Sequence, residues 1–261
     1  MTVLLLRLAG PLQSWGSAAR FARRTTENAP TKSGVLGLLA AADGRPRTAD
    51  LSDLAALRFG VRIDQPGRRL RDFHTAHHAD SGKSMPVSER FYLADAVFVA
   101  GVEGEQTLLQ RLHRRLLAPH FLPFLGRRSC PPSRPLDMGP PRADTTLEEA
   151  LRTAPWQASG WYRRQLTRRQ GQGADAAVPE SLDVLIDCPP EQLPDLSLRD
   201  TPVSFDSRHR QYQLRGIRTD RVVPPGLAAP AAPGPHEPTV LLRPLGTPTG
   251  TAMEENTPRS R

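Results

Sequence analysis

Residues 10–42 gather the side chains with the clearest chemical use. They read Gly10-Pro-Leu-Gln-Ser-Trp-Gly16, then a basic run through Arg20, Arg23 and Arg24, then Pro30-Thr-Lys-Ser-Gly34 opening an apolar stretch. An exposed Trp15 would stack a base, with Gln13 and Ser14 beside it as hydrogen-bonding groups. A helix that begins near Lys32 presents free backbone N–H groups and the positive end of its dipole. Together these suit a single-stranded RNA backbone and its unpaired bases. The plain alternative is that Trp15 belongs to the core.

Leu125-Gly-Arg-Arg-Ser-Cys-Pro-Pro-Ser-Arg-Pro-Leu136 is the second dense stretch. Gly126 permits an unusual backbone or a close approach. Arg127 and Arg128 offer forked donors for phosphate oxygens, although a solvated arginine pair is also common.

His74, His77 and His78 form a compact group. No acidic or Cys side chain is spaced to complete a metal site with them. His74 as a general base in RNA cleavage is conceivable, since imidazole titrates near neutrality. The alternative is a set of solvated or RNA-contacting histidines at a hairpin tip. Gly82-Lys83-Ser84 resembles the end of a phosphate-binding loop, but that motif requires glycine where His77 stands.

The elements that carry these residues follow from the apolar pattern. Val3–Leu8 reads as a buried strand. Lys32–Ala42 reads as a helix with Thr31 as N-cap and Asp43-Gly44 as its stop. A short helix at Leu51–Leu57 precedes a strand at Arg58–Asp64. Arg69–Thr75 and Val87–Leu93 are extended arms around a polar tip, His77–Pro86. Asp95–Val102 is a strand, Glu105–Leu117 an amphipathic helix and Phe121–Leu125 a further strand. The order strand–helix–strand–strand–helix–strand is the split βαβ pattern. Thr145–Thr153 reads as helical and Gln165–Ala177 as a polar mobile loop. Ser181–Asp187, Pro202–Phe205 and His209–Arg218 read as strands of a smaller second unit. From Pro224 onward Pro, Ala, Gly and Thr dominate, and such a tail buries too little surface to stay ordered.

The net charge of +8 points to a polyanionic partner, though Lys32 and Lys83 are the only lysines, an arginine bias that genome composition also produces. Cys130 and Cys188 form no C-x-x-C pair, which excludes zinc-ribbon and thioredoxin readings and leaves buried reduced thiols. No secretory leader is evident, and no apolar run approaches the roughly 20 residues of a membrane span.

The stretches Gln13–Gly16, Pro30–Ala40, Asp72–Thr75, Arg90–Ala96, Leu125–Ser133 and Leu198–Asp206, followed by Arg208–Arg215, occur in that order. In this the chain resembles the CasD family of CRISPR-associated RAMP proteins, over about residues 3–220. The resemblance implies an α+β fold: an RRM/ferredoxin-like (RAMP) domain at residues 1–126 with an inserted β-hairpin thumb at about 69–93. A smaller β-rich C-terminal region at 127–223 and a Pro-rich disordered tail at 224–261 complete it. It implies a non-catalytic subunit of the type I-E Cascade surveillance complex in antiviral defence, capping the 5′ handle of crRNA. Implied partners are crRNA, the backbone subunit, the large subunit and, through the complex, target DNA. No cofactor, metal or membrane is implied, and the location is cytoplasmic. Relatives in another subtype cut repeat RNA without metal, which supplies the alternative function. Carried onto this sequence, RNA contact falls on Gln13, Ser14, Trp15, Arg23, Thr31, Lys32, Ser33, Arg127 and Arg128. Thumb and assembly roles fall on His74, His77, His78, Lys83 and Arg90.

Overall fold

Val3–Leu8 holds five aliphatic side chains and one arginine, so a strand made from it must be covered on both faces. The computed structural model, which describes residues 1–17, 23–170 and 179–227, places it as β1 (Thr2–Ala9) inside a sheet. In chain order the other elements are β2 (Leu12–Gln13), β3 (Arg23–Arg24), α1 (Lys32–Ala42), α2 (Ser52–Ala55), β4 (Arg58–Gln65), β5 (Arg68–His74), β6 (Ser88–Ala94), β7 (Val97–Gly104) and α3 (Gln106–Leu117). They continue with β8 (Arg142–Ala143), α4 (Leu147–Thr153), α5 (Gly160–Gln170), β9 (Leu182–Asp187), β10 (Leu196–Ser204) and β11 (Gln211–Val222).

The main sheet has seven strands in the order β10-β11-β9-β4-β7-β1-β8, and its pairings are antiparallel. α1 lies in the connection from β1 to β4, and α3 in the connection from β7 to β8. Leu4, Leu6 and Leu8 of β1 pack with Val35, Leu36 and Leu39 of α1 and Leu109 and Leu112 of α3. Val3 and Leu5 turn to the other face and meet Leu147 and Leu151 of α4. Gly60 and Gly101 are cross-strand partners under that helix. A Cβ on Gly60 would fall 2.9 Å from Leu151 Cδ1 and one on Gly101 2.6 Å from Leu147 Cδ1, so the two glycines let α4 lie close.

α1 starts and stops where its sequence signals say. The Thr31 side chain accepts a hydrogen bond from the Gly34 N–H, and Gly44 leaves the helix at φ +78°. A second sheet is built on β6, which pairs with β5 in a hairpin from Arg68↔Ala94 to His74↔Ser88, with β2 antiparallel and with β3 parallel.

Four expectations are corrected. Phe121–Leu125 is not a strand; Pro119 and Pro123 remove ladder donors there, and the edge of β1 is taken by β8 and a bridge from Leu6 to Asp137. Residues 165–170 belong to helix α5, while 171–178 lie outside the described residues. The strands assigned to a smaller second unit instead extend the main sheet, because β9 pairs directly with β4. Residues 224–227, expected in the tail, pack on the body: Leu227 is buried against Trp156 and Leu166, and the Trp156 N–H donates to the Pro225 carbonyl (2.9 Å). The tail from residue 228 lies outside the described residues.

Candidate nucleic-acid interface

The stretch Gln13–Trp15 follows β1 through a tight turn and points inward. Gln13 Nε2 donates to the carbonyls of Leu8 (3.1 Å) and Ala96 (2.8 Å), and its Oε1 accepts from Trp15 Nε1–H (3.1 Å). The Ser14 hydroxyl donates to the Phe91 carbonyl (3.0 Å). Trp15 is fully buried, and its ring lies so close to α1 that a Cβ on Gly34 would fall 2.7 Å from Trp15 Cε3. On the other side the 125–130 loop closes over it. Gly126 adopts φ +82°, and a Cβ there would fall 1.8 Å from the Ser14 carbonyl oxygen. Every side-chain polar atom of this trio meets the protein's own backbone or side chains. The reading of Trp15 as an exposed stacking surface is therefore corrected: the ring is a wedge between α1 and the Gly126 loop.

Thr31 and Lys32 also serve the fold. Lys32 Nζ pairs with Asp187 Oδ2 at 2.9 Å, and the Lys32 backbone N–H donates to Asp200 Oδ2 at 2.7 Å. Arg215 joins both acids, to Asp187 at 2.7 Å and to Asp200 at 2.7 and 2.8 Å. Its guanidinium also stands 5.3 Å over the Phe59 ring. Burial alone would lower the Arg215 pKa, but the hydrogen bonds and charges of Asp200 and Asp187 hold it above its ordinary value. The two cations and two carboxylates cancel. The Asp200 carboxylate occupies the positive end of α1, the place where a phosphate would have to sit. Ser33, next along, keeps part of its surface.

Positive charge collects instead on the small sheet. β3 runs parallel to β6, with Arg23 beside Glu89 and Arg24 beside Arg90. Side chains alternate along a strand, so Arg23, Glu89 and Phe91 share one face, and Arg24, Arg90 and Tyr92 the other. On the first face Glu89 is held by Arg23 (3.8 Å) and by Arg71, while Arg23 stands 5.5 Å over Phe91 and Arg71 4.7 Å over Phe73. On the second face the Arg127 guanidinium lies 4.7 Å over the Tyr92 ring, and its Nη2 donates to the Arg24 carbonyl (2.9 Å). Nη1 of Arg127 and Nε of Arg90 are buried there without a hydrogen-bond partner among the described residues. An unpaired buried donor costs about 1–3 kcal/mol. Arg24, Arg90, Arg127 and the exposed Arg128 make no ion pair among the described residues. Asp72 lies opposite Arg90 in the β5–β6 register and so shares this face, but it meets His74 rather than these arginines. Arg20 of the same basic run lies outside the described residues.

The hairpin histidines do not converge. His74 Nε2 meets Asp72 Oδ2 at 2.6 Å, because the strand period puts residues 72 and 74 on one face. His77 meets the Gly82 carbonyl (3.2 Å) and the Ser84 hydroxyl (3.4 Å), and His78 faces Asp80 at 3.9 Å. Among the described residues no group of three His, Cys, Asp or Glu side chains could hold a metal ion. Lys83 is exposed at a tip closed by Met85 N–H to Ala76 O (2.7 Å). The hairpin also exposes Leu70, Phe73, Met85 and Val87, more apolar surface than its polar tip promised.

Sequence reasoning missed Tyr92 as the platform under Arg127 and missed Asp187 and Asp200 as the partners of Lys32. The signal for the acids was present, since Asp187 ends an apolar strand and Asp200 and Arg215 lie in the Leu198–Asp206 and Arg208–Arg215 stretches. A carboxylate at an inward strand position needs a cation, but the sequence does not name which one.

The sequence profile of a family described as "CRISPR-associated protein (Cas_Cas5)" matches residues 3–218. The chain is 37% identical to the CRISPR system Cascade subunit CasD of Escherichia coli (strain K12), over 58% of this chain and 77% of that one. Among solved structures, it is similar to one titled "Crystal structure of Cas protein" (TM-score 0.65, 38% identity, 87% of this chain and 100% of that one). It is similar also to a chain of a "CRISPR RNA-guided surveillance complex" (TM-score 0.66, 32% identity, 89% and 95%). The motifs read in the sequence, the antiparallel sheet they build and these likenesses agree that the chain belongs to the Cas5 family of CRISPR-associated proteins.

Proposed function

We propose that this chain is a non-catalytic, RNA-binding subunit of a type I-E Cascade complex and that it holds the 5′ handle of crRNA on the second face of its small sheet. One observation carries the reading: Arg24, Arg90 and Arg127 gather on this face with no ion pair among the described residues, and Arg90 Nε and Arg127 Nη1 have no hydrogen-bond partner there. A phosphate group supplies the counter-charge these guanidinium groups lack, and their forked donors suit it in both charge and shape. The likeness to a Cascade subunit and to a chain of an RNA-guided complex supports the choice of RNA. On this reading β8-β1-β7-β4 with α1 and α3 is the ferredoxin-like core, and the β5–β6 hairpin is the thumb, its exposed apolar residues meeting the adjacent backbone subunit. The large subunit and target DNA are met within the assembly, in the cytoplasm.

The test is a titration of the full chain with RNA carrying the cognate 5′ handle across a salt series. Each phosphate neutralised on a single strand contributes about 0.7 to the slope of log K against log salt. Arg90→Gln and Arg127→Gln each flatten that slope by up to about this amount. Unchanged slopes in both folded variants place the RNA elsewhere.

The Asp72–His74 pair at 2.6 Å favours one other reading, metal-independent cleavage of repeat RNA, since a carboxylate orients an imidazole as a general base. Incubation of the chain with labelled repeat RNA in EDTA separates the two: intact RNA supports the binding subunit, and cleavage lost in His74→Ala supports the nuclease.

A further inference from the structure

Helix α5 is the part of the described fold that the handle-binding reading leaves unused. Its sequence, Gly-Trp-Tyr-Arg-Arg-Gln-Leu-Thr-Arg-Arg-Gln, has four arginines, two aromatics and no acid. One side of it is anchored. Leu166 is buried with Trp156, Leu182 and Leu227. Arg163 reaches back to the carbonyls of Ala158 (3.0 Å) and Trp156, and its guanidinium lies 4.5 Å over the Trp156 ring. The opposite side is open. Trp161, Arg164 and Arg168 stand at i, i+3 and i+7, the spacing of a single helix face, and all three are exposed. Trp161 is 46% exposed, an unusual cost for so large an apolar ring on a surface. Arg164 and Arg168 make no ion pair among the described residues.

The geometry points to α5 as a second nucleic-acid contact, separate from the arginine face of the small sheet. Arg164 and Arg168 would hold consecutive backbone phosphates, and Trp161 would stack an unpaired base. Charge complementarity selects a polyanion, since the helix carries four cations against no anion. The exposed indole selects a single strand over a duplex, because only an unpaired base offers its face for stacking. The phosphodiester chemistry is shared by RNA and DNA. This inference does not rest on where the handle binds.

The test uses the full chain with single-stranded RNA, single-stranded DNA and duplex DNA of one sequence, read by tryptophan fluorescence and by anisotropy across a salt series. Trp15 and Trp156 are buried, so quenching by a bound base comes from Trp161 and disappears in Trp161→Phe. Arg164→Gln/Arg168→Gln flattens the salt slope by about 1.4, two phosphates' worth. Quenching by either single strand supports the site, and the strand that quenches identifies its source. Quenching that persists in Arg127→Gln supports a site separate from the small sheet. Quenching by duplex alone, equal quenching by polyglutamate, or an unchanged slope in the folded double variant overturns it.

Discussion

Lys32 Nζ stands 2.9 Å from Asp187 Oδ2, and that bond ties the first turn of α1 to a strand 155 residues away. Arg215 and Asp200 complete the cluster, so the N-terminal half of the chain and the C-terminal strands are joined by charges out of water. Removing one member of such a set leaves an opposite charge buried and uncompensated, which costs about 3–5 kcal/mol. Lys32→Met is expected to lower stability by that order in urea denaturation, while the salt slope of RNA binding by the folded fraction stays as in the parent. A stable variant with a flattened slope would place Lys32 on the RNA.

Gly34 and Trp15 make a similar structural statement. A methyl group at position 34 meets the indole edge at 2.7 Å and Thr31 Oγ1 at 3.0 Å. Neither neighbour has room to move. Gly34→Ala should destabilise by about 1–3 kcal/mol through overpacking, against the gain that alanine normally gives inside a helix. Trp15→Ala should cost about 3–5 kcal/mol by opening a cavity. Denaturation midpoints of the two variants measure both effects. If Trp15→Ala were stable and bound RNA more weakly, the indole would be a ligand after all.

Much of the fold was legible because its signals are local. Thr31, the apolar stretch after it and Asp43-Gly44 define α1 without reference to anything distant. Phe59, Val61 and Ile63 alternate, and so announce β4. Helix α5 was not legible: of its side chains only Leu166 is aliphatic, and a run of arginine and glutamine shows no apolar period. Its amphipathicity exists only once Trp156 and Leu227 supply the surface it covers. The site failed in a different way. The residue types suit RNA, but whether a tryptophan or a lysine faces water is a tertiary fact. The slot at Gly34 and the acid at Asp187 turned both inward, and the unpaired donors of Arg90 and Arg127 could not be seen until β3 lay beside β6.

Among the described residues the body continues past Val223 to Leu227. Leu227 is buried, and Pro225 accepts the Trp156 backbone N–H. Burying a leucine side chain contributes about 1.5–3 kcal/mol. A chain ended after Leu227 is expected to match the full chain in melting and in assembly, while one ended after Val223 melts several degrees lower. Equal melting of the two truncations would show that the Leu227 contact contributes nothing.

The two thiols should differ in reactivity. Burial pushes the Cys130 thiol up from its ordinary pKa, so at neutral pH it is protonated as well as enclosed. Cys188 is only partly buried. A disulfide reagent is expected to label Cys188 quickly and Cys130 at the rate of local opening. The Cys130 N–H donates to the Arg127 carbonyl (2.9 Å) and the Leu125 N–H to the Cys130 carbonyl (2.7 Å), so Cys130 labelling reports on the arginine loop itself. RNA bound through Arg127 should slow it. Labelling of Cys130 that is unaffected by saturating RNA would separate the loop from the binding site.

The β5–β6 hairpin belongs to the small sheet rather than the main one. Its tip closes on itself, through His78 N–H to Lys83 O (2.9 Å) and Met85 N–H to Ala76 O (2.7 Å), and the His77, His78 and Lys83 side chains stay outside the core. Loop tips of this kind can be shortened at little cost to the fold. Leu70, Phe73, Met85 and Val87 nevertheless remain exposed, and clustered exposed apolar side chains mark a contact surface. Replacing residues 77–86 with a short glycine turn is therefore expected to leave melting unchanged and to abolish or weaken entry into the complex, measured by co-purification with the other subunits. Phe73→Ser with Met85→Ser, which keeps the tip's backbone, should reproduce the assembly defect if the apolar face is what docks. Normal assembly by both variants would mean that the hairpin is not the thumb.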